Sequence, residues 1–175
     1  HTDGVGTKIM IANALKKYDT IGIDCIAMNV NDVICIGATP ISFVDYIAAN
    51  KNDQTIFKKV VKGLAKGARQ AKVPIIGGET AIMPDLFSGK SFAMDLAGAV
   101  VGILTKKEMV VGKSIKSGDI IIGVKSSGLH SNGYTLARNV LLSKYKLHSR
   151  IKGIGHLGNA MLKPTEIYVK PVLEA

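Results

Sequence analysis

Four polar clusters interrupt apolar sequence and carry residue types suited to chemistry. In Asp3-Gly4-Val5-Gly6-Thr7-Lys8, two glycines permit tight curvature, so that backbone N–H groups can converge on an anion. Lys8 offers a point charge for phosphate and Asp3 a hard oxygen for Mg²⁺. An ordinary glycine turn reads the same way. Asn31-Asp32 falls inside an otherwise apolar run. A carboxylate there needs a partner: a metal ion, an internal lysine or a helix-capping contact. Gly77-Gly78-Glu79-Thr80 follows directly on a short apolar strand, and strand ends are where α/β folds tend to place ligands. Glu79 and Thr80 suit a nucleotide or its metal; a plain turn is the alternative. The fourth cluster is Ser126-Ser127-Gly128-Leu129-His130-Ser131-Asn132-Gly133-Tyr134. His130, Ser131 and Asn132 stand where a helix is expected to begin, and free N–H groups there favour anions. Simple capping by Ser131 or Asn132 is compatible with that reading.

Other chemistries are excluded by pattern. No G-x-x-x-x-G-K-[ST] occurs, so the chain is not a Walker-type NTPase. Gly153 to Gly158 matches G-x-G-x-x-G but lacks a preceding strand and a long following helix. No H-E-x-x-H or paired C-x-x-C is present. The 175 residues carry 23 Lys+Arg against 13 Asp+Glu, a net charge of +10. Only Arg69, Arg138 and Arg150 are arginine, and tryptophan is absent, which argues against base readout or a nucleic-acid stacking platform. At 47% apolar and 21% charged the chain can bury a core, and no apolar run is long enough to suggest a membrane span. Two cysteines, Cys25 and Cys35, read as buried free thiols on one helix, about 15 Å apart, in a reducing cytoplasm.

The elements that must position these clusters follow from periodicity. Residues 1–8 read as a polar loop, and Ile21 to Ile36 as a helix ended by Gly37. Ile41 to Ala49 is a strand with Asp45 embedded. Ile56, Val60, Val61, Leu64 and Ala68 lie on one face of a helix whose other face is basic, capped by Asp53 or Thr55. Val73 to Ile76 is a short strand, 84–91 a loop and Met94 to Leu104 a strand. A polar stretch over 105–118 separates residues 1–108 from 116–175 as two domains, the second incomplete. Ile120 to Val124 reads as a buried strand. A helix follows over Tyr134 to Ser143, with Leu136, Val140 and Leu141 inward. Residues 144–162 are basic and irregular, and Pro164 opens a last helix. Alternating strands and helices indicate an α/β (α+β) layered fold.

Read together, TDGVGTK (2–8), YDTIGID (18–24), the ND of 31–32, GGETAIMP (77–84), DLAG (95–98), SSGLHSNGY (126–134) and KPTEIYVK (163–170) resemble the phosphoribosylformylglycinamidine cyclo-ligase family, also called AIR synthetase. The resemblance runs along essentially the whole chain. It implies a mixed sheet flanked by helices, a homodimer built through a shared β-barrel, and a cytoplasmic enzyme of purine synthesis. It implies ATP held with Mg²⁺ by acidic residues: nucleotide contacts at Asp3, Gly4, Gly6, Thr7, Asp32, Gly78, Glu79 and Thr80, with Asp3, Asp32 and Glu79 on the metal. Lys8 would hold phosphate, and His130 and Asn132 would lie near formylglycinamidine ribonucleotide. The family reaction phosphorylates the formyl amide oxygen; an internal nitrogen then closes the imidazole ring and expels phosphate.

The sequence also departs from that family. Ile82 stands where many members have Glu, and Pro171 follows YVK. An upstream glycine-rich segment and most of a second domain are expected but not present, so the chain is expected to be a piece of something longer. Thiamine-monophosphate kinase, selenophosphate synthetase and a hydrogenase-maturation protein share the fold, and such a kinase is the enzymatic alternative. A dimerising fragment without catalysis is the non-enzymatic one.

Overall fold

The computed structural model describes residues 1–87, 89 and 91–175; Ser88 and Lys90, within the expected 84–91 loop, lie outside the described residues. Helix α2 (Ile21–Val33) is buried on nearly every side over its first ten residues: Ile21, Ile23, Cys25, Ile26, Ala27 and Val30 are buried, and so are the polar Asp24 and Asn29. A helix of that kind must be covered all round. One flank packs on a sheet and the other on α3 (Gln54–Ala71). Asp53 caps α3, its side chain accepting from the Ile56 N–H at 3.1 Å. Val60, Leu64 and Ala68 face α2, while Lys58, Lys59, Lys62, Lys66 and Arg69 stay in solvent. The two helices approach too closely for side chains at their crossing. A Cβ on Gly22 would lie 2.3 Å from the Leu64 nitrogen.

The sheet contains β1 (Thr2–Gly4), β2 (Thr39–Ala49), β3 (Ile75–Ile82) and β4 (Met94–Ile103), in the order β1-β4-β2-β3. β2 and β3 are parallel; the other neighbours are antiparallel. This is the expected mixed sheet flanked by helices. Alternation sends Phe43, Ile47, Leu96 and Val100 into the core beneath α2. The opposite face leaves Val44, Tyr46 and Val101 exposed.

Several expected elements are corrected. Residues 2–4 are a strand rather than loop, because they pair with 97–99 of β4. β3 does not end before the glycines; it runs through Gly77-Gly78-Glu79-Thr80 to Ile82, since Val44 to Ala49 of β2 supply a continuous partner. Ile120 to Val124 is neither strand nor buried: Ile121 is 96% exposed, and no ladder partner exists for it among the described residues. In α4 (Tyr134–Leu142), Tyr134 is buried and Leu141 packs on the core, but Leu136 and Val140 face solvent. Residues 144–162 hold a small hairpin, β5 (Arg150–Ile151) with β6 (Gly155–His156), and α5 (Leu157–Met161). The G-x-G-x-x-G match runs from the turn of that hairpin through β6 into the start of α5, with Gly153 and Gly155 both at positive φ. No helix begins at Pro164; α6 (Val169–Leu173) starts later and contains Pro171. Cys25 is buried as expected, but Cys35 is exposed in the single 3₁₀ turn after α2.

Candidate active site

The glycine-rich start delivers Lys8 inward. Gly6 takes a left-handed turn (φ 65°), and α1 (Lys8–Leu15) begins with Lys8 wholly buried. Lys8 Nζ donates to Asp24 Oδ1 at 2.9 Å, to the His130 carbonyl at 2.8 Å and to the Lys163 carbonyl at 2.7 Å. An ammonium has three N–H donors, and all three are taken. In this arrangement Lys8 has neither exposure nor a free donor to offer a phosphate. Burial lowers its pKa from the usual lysine range, and the Asp24 charge opposes that shift. Asp24, also wholly buried, accepts at Oδ1 from the Thr165 N–H and hydroxyl, each at 2.7 Å. Thr165 Oγ1 and Ser131 Oγ are 3.1 Å apart.

Against this buried knot lies a cleft of about 410 Å³, lined by Asn31, Asp32, Cys35, His130, Asn132, Thr165 and Tyr168 among others. It brings together three of the expected site residues, Asp32, His130 and Asn132, from α2 and from the turn before α4. Asp32 lies on the last turn of α2 and its Oδ2 stands 3.2 Å from His1 Nε2. Asn31 ties the same turn to the far segment, donating to the Glu166 carbonyl at 2.8 Å and accepting from the Tyr168 N–H at 2.9 Å. His130 adopts φ 57°, a left-handed conformation uncommon outside glycine. Its Nε2 accepts from the Ser127 N–H at 3.2 Å. The neutral ring therefore carries its proton on Nδ1, which has no partner among the described residues. His130 is thus set on a turn four residues ahead of α4 rather than at the helix end itself.

The remaining expected residues lie elsewhere. Asp3 is fixed by Asn29, whose Oδ1 accepts from the Asp3 N–H at 3.0 Å; Asp3 Oδ1 accepts from the Gly4 N–H at 2.7 Å. Thr7 Oγ1 is 3.2 Å from Thr135 Oγ1. Gly78, Glu79 and Thr80 are exposed on edge strand β3. A Cβ on Gly78 would stand 2.6 Å from Asp45 Oδ1, so that carboxylate, whose pKa burial raises, requires glycine beside it. Register aligns Asp3, Gly98, Asp45 and Gly78 across the sheet. Asp3 and Glu79 therefore occupy opposite edges, about 14 Å apart by strand spacing, and point to opposite faces. Among the described residues, no three His, Cys, Asp or Glu side chains gather as metal ligands. Asp3, Asp32 and Glu79 do not form one metal site within a single chain.

Sequence reasoning missed Asn29, Asp24 and Thr165 as the polar framework of this region. Asp24 signalled itself only as a carboxylate inside an apolar run.

Comparison with known proteins places the chain in a family. The AIR synthase related protein N-terminal domain matches residues 1–104, and the corresponding C-terminal domain matches 116–175. The chain belongs to the AIR synthase related family. It is 53% identical over 173 residues to the phosphoribosylformylglycinamidine cyclo-ligase of Thermococcus kodakarensis, covering 99% of this chain and 50% of that protein. The cyclo-ligase of Bacillus cereus (strain AH187) is 52% identical over 176 residues, with 99% and 50% covered. The chain thus spans about half the length of the curated relatives it matches. Among solved structures, thiamine monophosphate kinase from Aquifex aeolicus superposes with TM-score 0.62 at 16% identity, covering 99% of this chain and 52% of that one. A structure described as "AaThiL complexed with AMPPCP and TMP" gives 0.61 at 14% identity, covering 99% and 50%. At such identities these two establish the family's fold alone. No helix among the described residues is long and apolar enough to cross a membrane.

Proposed function

We propose that the protein is an ATP-dependent cyclo-ligase that converts formylglycinamidine ribonucleotide to aminoimidazole ribonucleotide, ADP and phosphate. The observation that carries this reading is the convergence of His130, Asn132 and Asp32 on one cleft, in a chain about half identical to curated cyclo-ligases along its length. In the reaction, the formyl amide oxygen attacks the terminal phosphorus of ATP and ADP departs. The internal nitrogen then attacks the activated carbon, the C–O bond breaks to release phosphate, and the nitrogen loses a proton. Asn132 can donate and accept, which suits holding an amide in one pose. His130 Nδ1–H suits donation to the phosphorylated oxygen as it leaves. Holding the nitrogen and carbon of one molecule in near-attack geometry supplies much of the acceleration.

The nucleotide reading assigns Asp3, Gly4, Gly6, Thr7, Asp32, Gly78, Glu79 and Thr80 to ATP. Asp3, Asp32 and Glu79 do not gather at one point within one chain, so together they do not fit a single magnesium ion there. A homodimer is supported by the uncovered apolar face of the sheet around Val44, Tyr46 and Val101. The test is an assay of the full-length protein for ATP-dependent imidazole formation from formylglycinamidine ribonucleotide. Stoichiometric ADP and imidazole are expected; ATP-dependent phosphorylation of thiamine monophosphate without ring closure would favour the kinase reading instead.

A further inference from the structure

The cleft's most unusual support is a fully buried ion pair that touches none of the residues expected to react except one, through its backbone. Resting on the cyclo-ligase reading of the cleft, we infer that Lys8 and Asp24 are positioning residues that fix the His130 turn and the Thr165 segment as one wall of the active site.

Burying two charges costs desolvation free energy that the pair alone seldom repays, and apolar replacements of both partners are commonly tolerated. The geometry shows what the charges do here that apolar residues would not. Lys8 Nζ ties the His130 carbonyl and the Lys163 carbonyl, from segments far apart in sequence, to a single point under α2. Asp24 Oδ1 answers with three bonds, to Lys8 and to the N–H and hydroxyl of Thr165. The two segments thereby meet at Ser131 and Thr165. His130 sits at φ 57°, in a region uncommon for non-glycine residues, and the Lys8 bond to its own carbonyl helps hold that peptide. Ring placement follows peptide placement, because the ring's Nε2 is in turn held by Ser127. Lys suits the post because it brings three donors on a flexible stem, and all three are used.

The double variant Lys8→Met/Asp24→Leu in the full-length protein removes both charges at once and avoids a lone buried ion. Turnover is expected to fall about 10²-fold with the ATP KM changed by less than about threefold, the scale of a misplaced acid–base group. Backbone amides at 127–131 and 165 are expected to lose hydrogen-exchange protection relative to those of α2. The milder Thr165→Val variant replaces one buried hydroxyl by a methyl and keeps the Thr165 N–H bond to Asp24; it is expected to stay folded with a lowered Tm while kcat falls by about tenfold. Unchanged kcat and unchanged exchange in either folded variant would overturn the inference. Should the double variant fail to fold, the Thr165→Val result decides alone. His130→Ala measured alongside separates the two claims. If it keeps turnover, the reading of the cleft fails; if it loses turnover while the folded variants above keep theirs, the positioning role fails.

Discussion

Strand β2 and the segment Ile120 to Val124 carry nearly the same kind of sequence and meet opposite fates. Phe43 and Ile47 of β2 are almost fully buried, whereas Ile121 is 96% exposed. The difference is partners. β2 is hydrogen-bonded by β3 on one side and β4 on the other, and α2 lies against it. Ile120 to Val124 has no neighbouring strand among the described residues. An apolar run therefore reports what a segment can bury, and only the rest of the fold decides whether it does.

Mutations can break that comparison, starting where the effect is largest. Phe43→Ala should destabilise the 175-residue chain by about 3–5 kcal/mol, the usual cost of emptying an aromatic site in a core. Equilibrium denaturation measures it, and a loss under about 1 kcal/mol would mean that β2 is far less covered than described. Gly22→Ala should cost about 1–3 kcal/mol, because its methyl would collide with the backbone of α3 at Leu64. A neutral result would show that the two helices can separate.

Asp45 sharpens the contrast through pH. Burial raises its native pKa above the ordinary value of 3.8. Between these two values the native state binds more protons than the unfolded chain, so this carboxyl's contribution to stability falls as pH rises. Above the native pKa the penalty is complete. Asp45→Asn should abolish that slope and be relatively more stable near neutrality. Denaturation curves for both proteins across the acid range check this; parallel pH profiles would contradict it. Smallest of all, Ile121→Ser should change the stability of the 175-residue chain by no more than about 0.5 kcal/mol, since its side chain is already in water.

The same contrast explains what was legible in the sequence. α2, α3, β2 and β4 were readable because their apolar spacing matches their own period, and Asp53 marked the start of α3. Thr2 to Gly4 could not be read as a strand: Asp3 and Gly4 are poor strand formers, and its partner lies nearly a hundred positions away. β3 hid behind its glycines for a similar reason, since Gly78 is there to make room for Asp45 on the next strand. Three site residues, Asp32, His130 and Asn132, were named from sequence and do share a cleft. A lysine after a glycine-rich loop, such as Lys8, suggests phosphate, and only tertiary structure brings it Asp24 and two distant carbonyls. Asp3 and Glu79 look alike as lone carboxylates beside glycine, yet the sheet sends them to opposite edges.

In the proposed cyclo-ligase, ring closure takes place in the cleft with His130 as proton donor. That role is tested most directly by turnover and ATP binding measured on one preparation of full-length His130→Ala. The account predicts that imidazole formation falls by about 10²-fold or more while ATP affinity changes little, because the residues assigned to the nucleotide remain. Retained turnover, or loss of turnover and ATP binding together in a protein that is still folded, would contradict it.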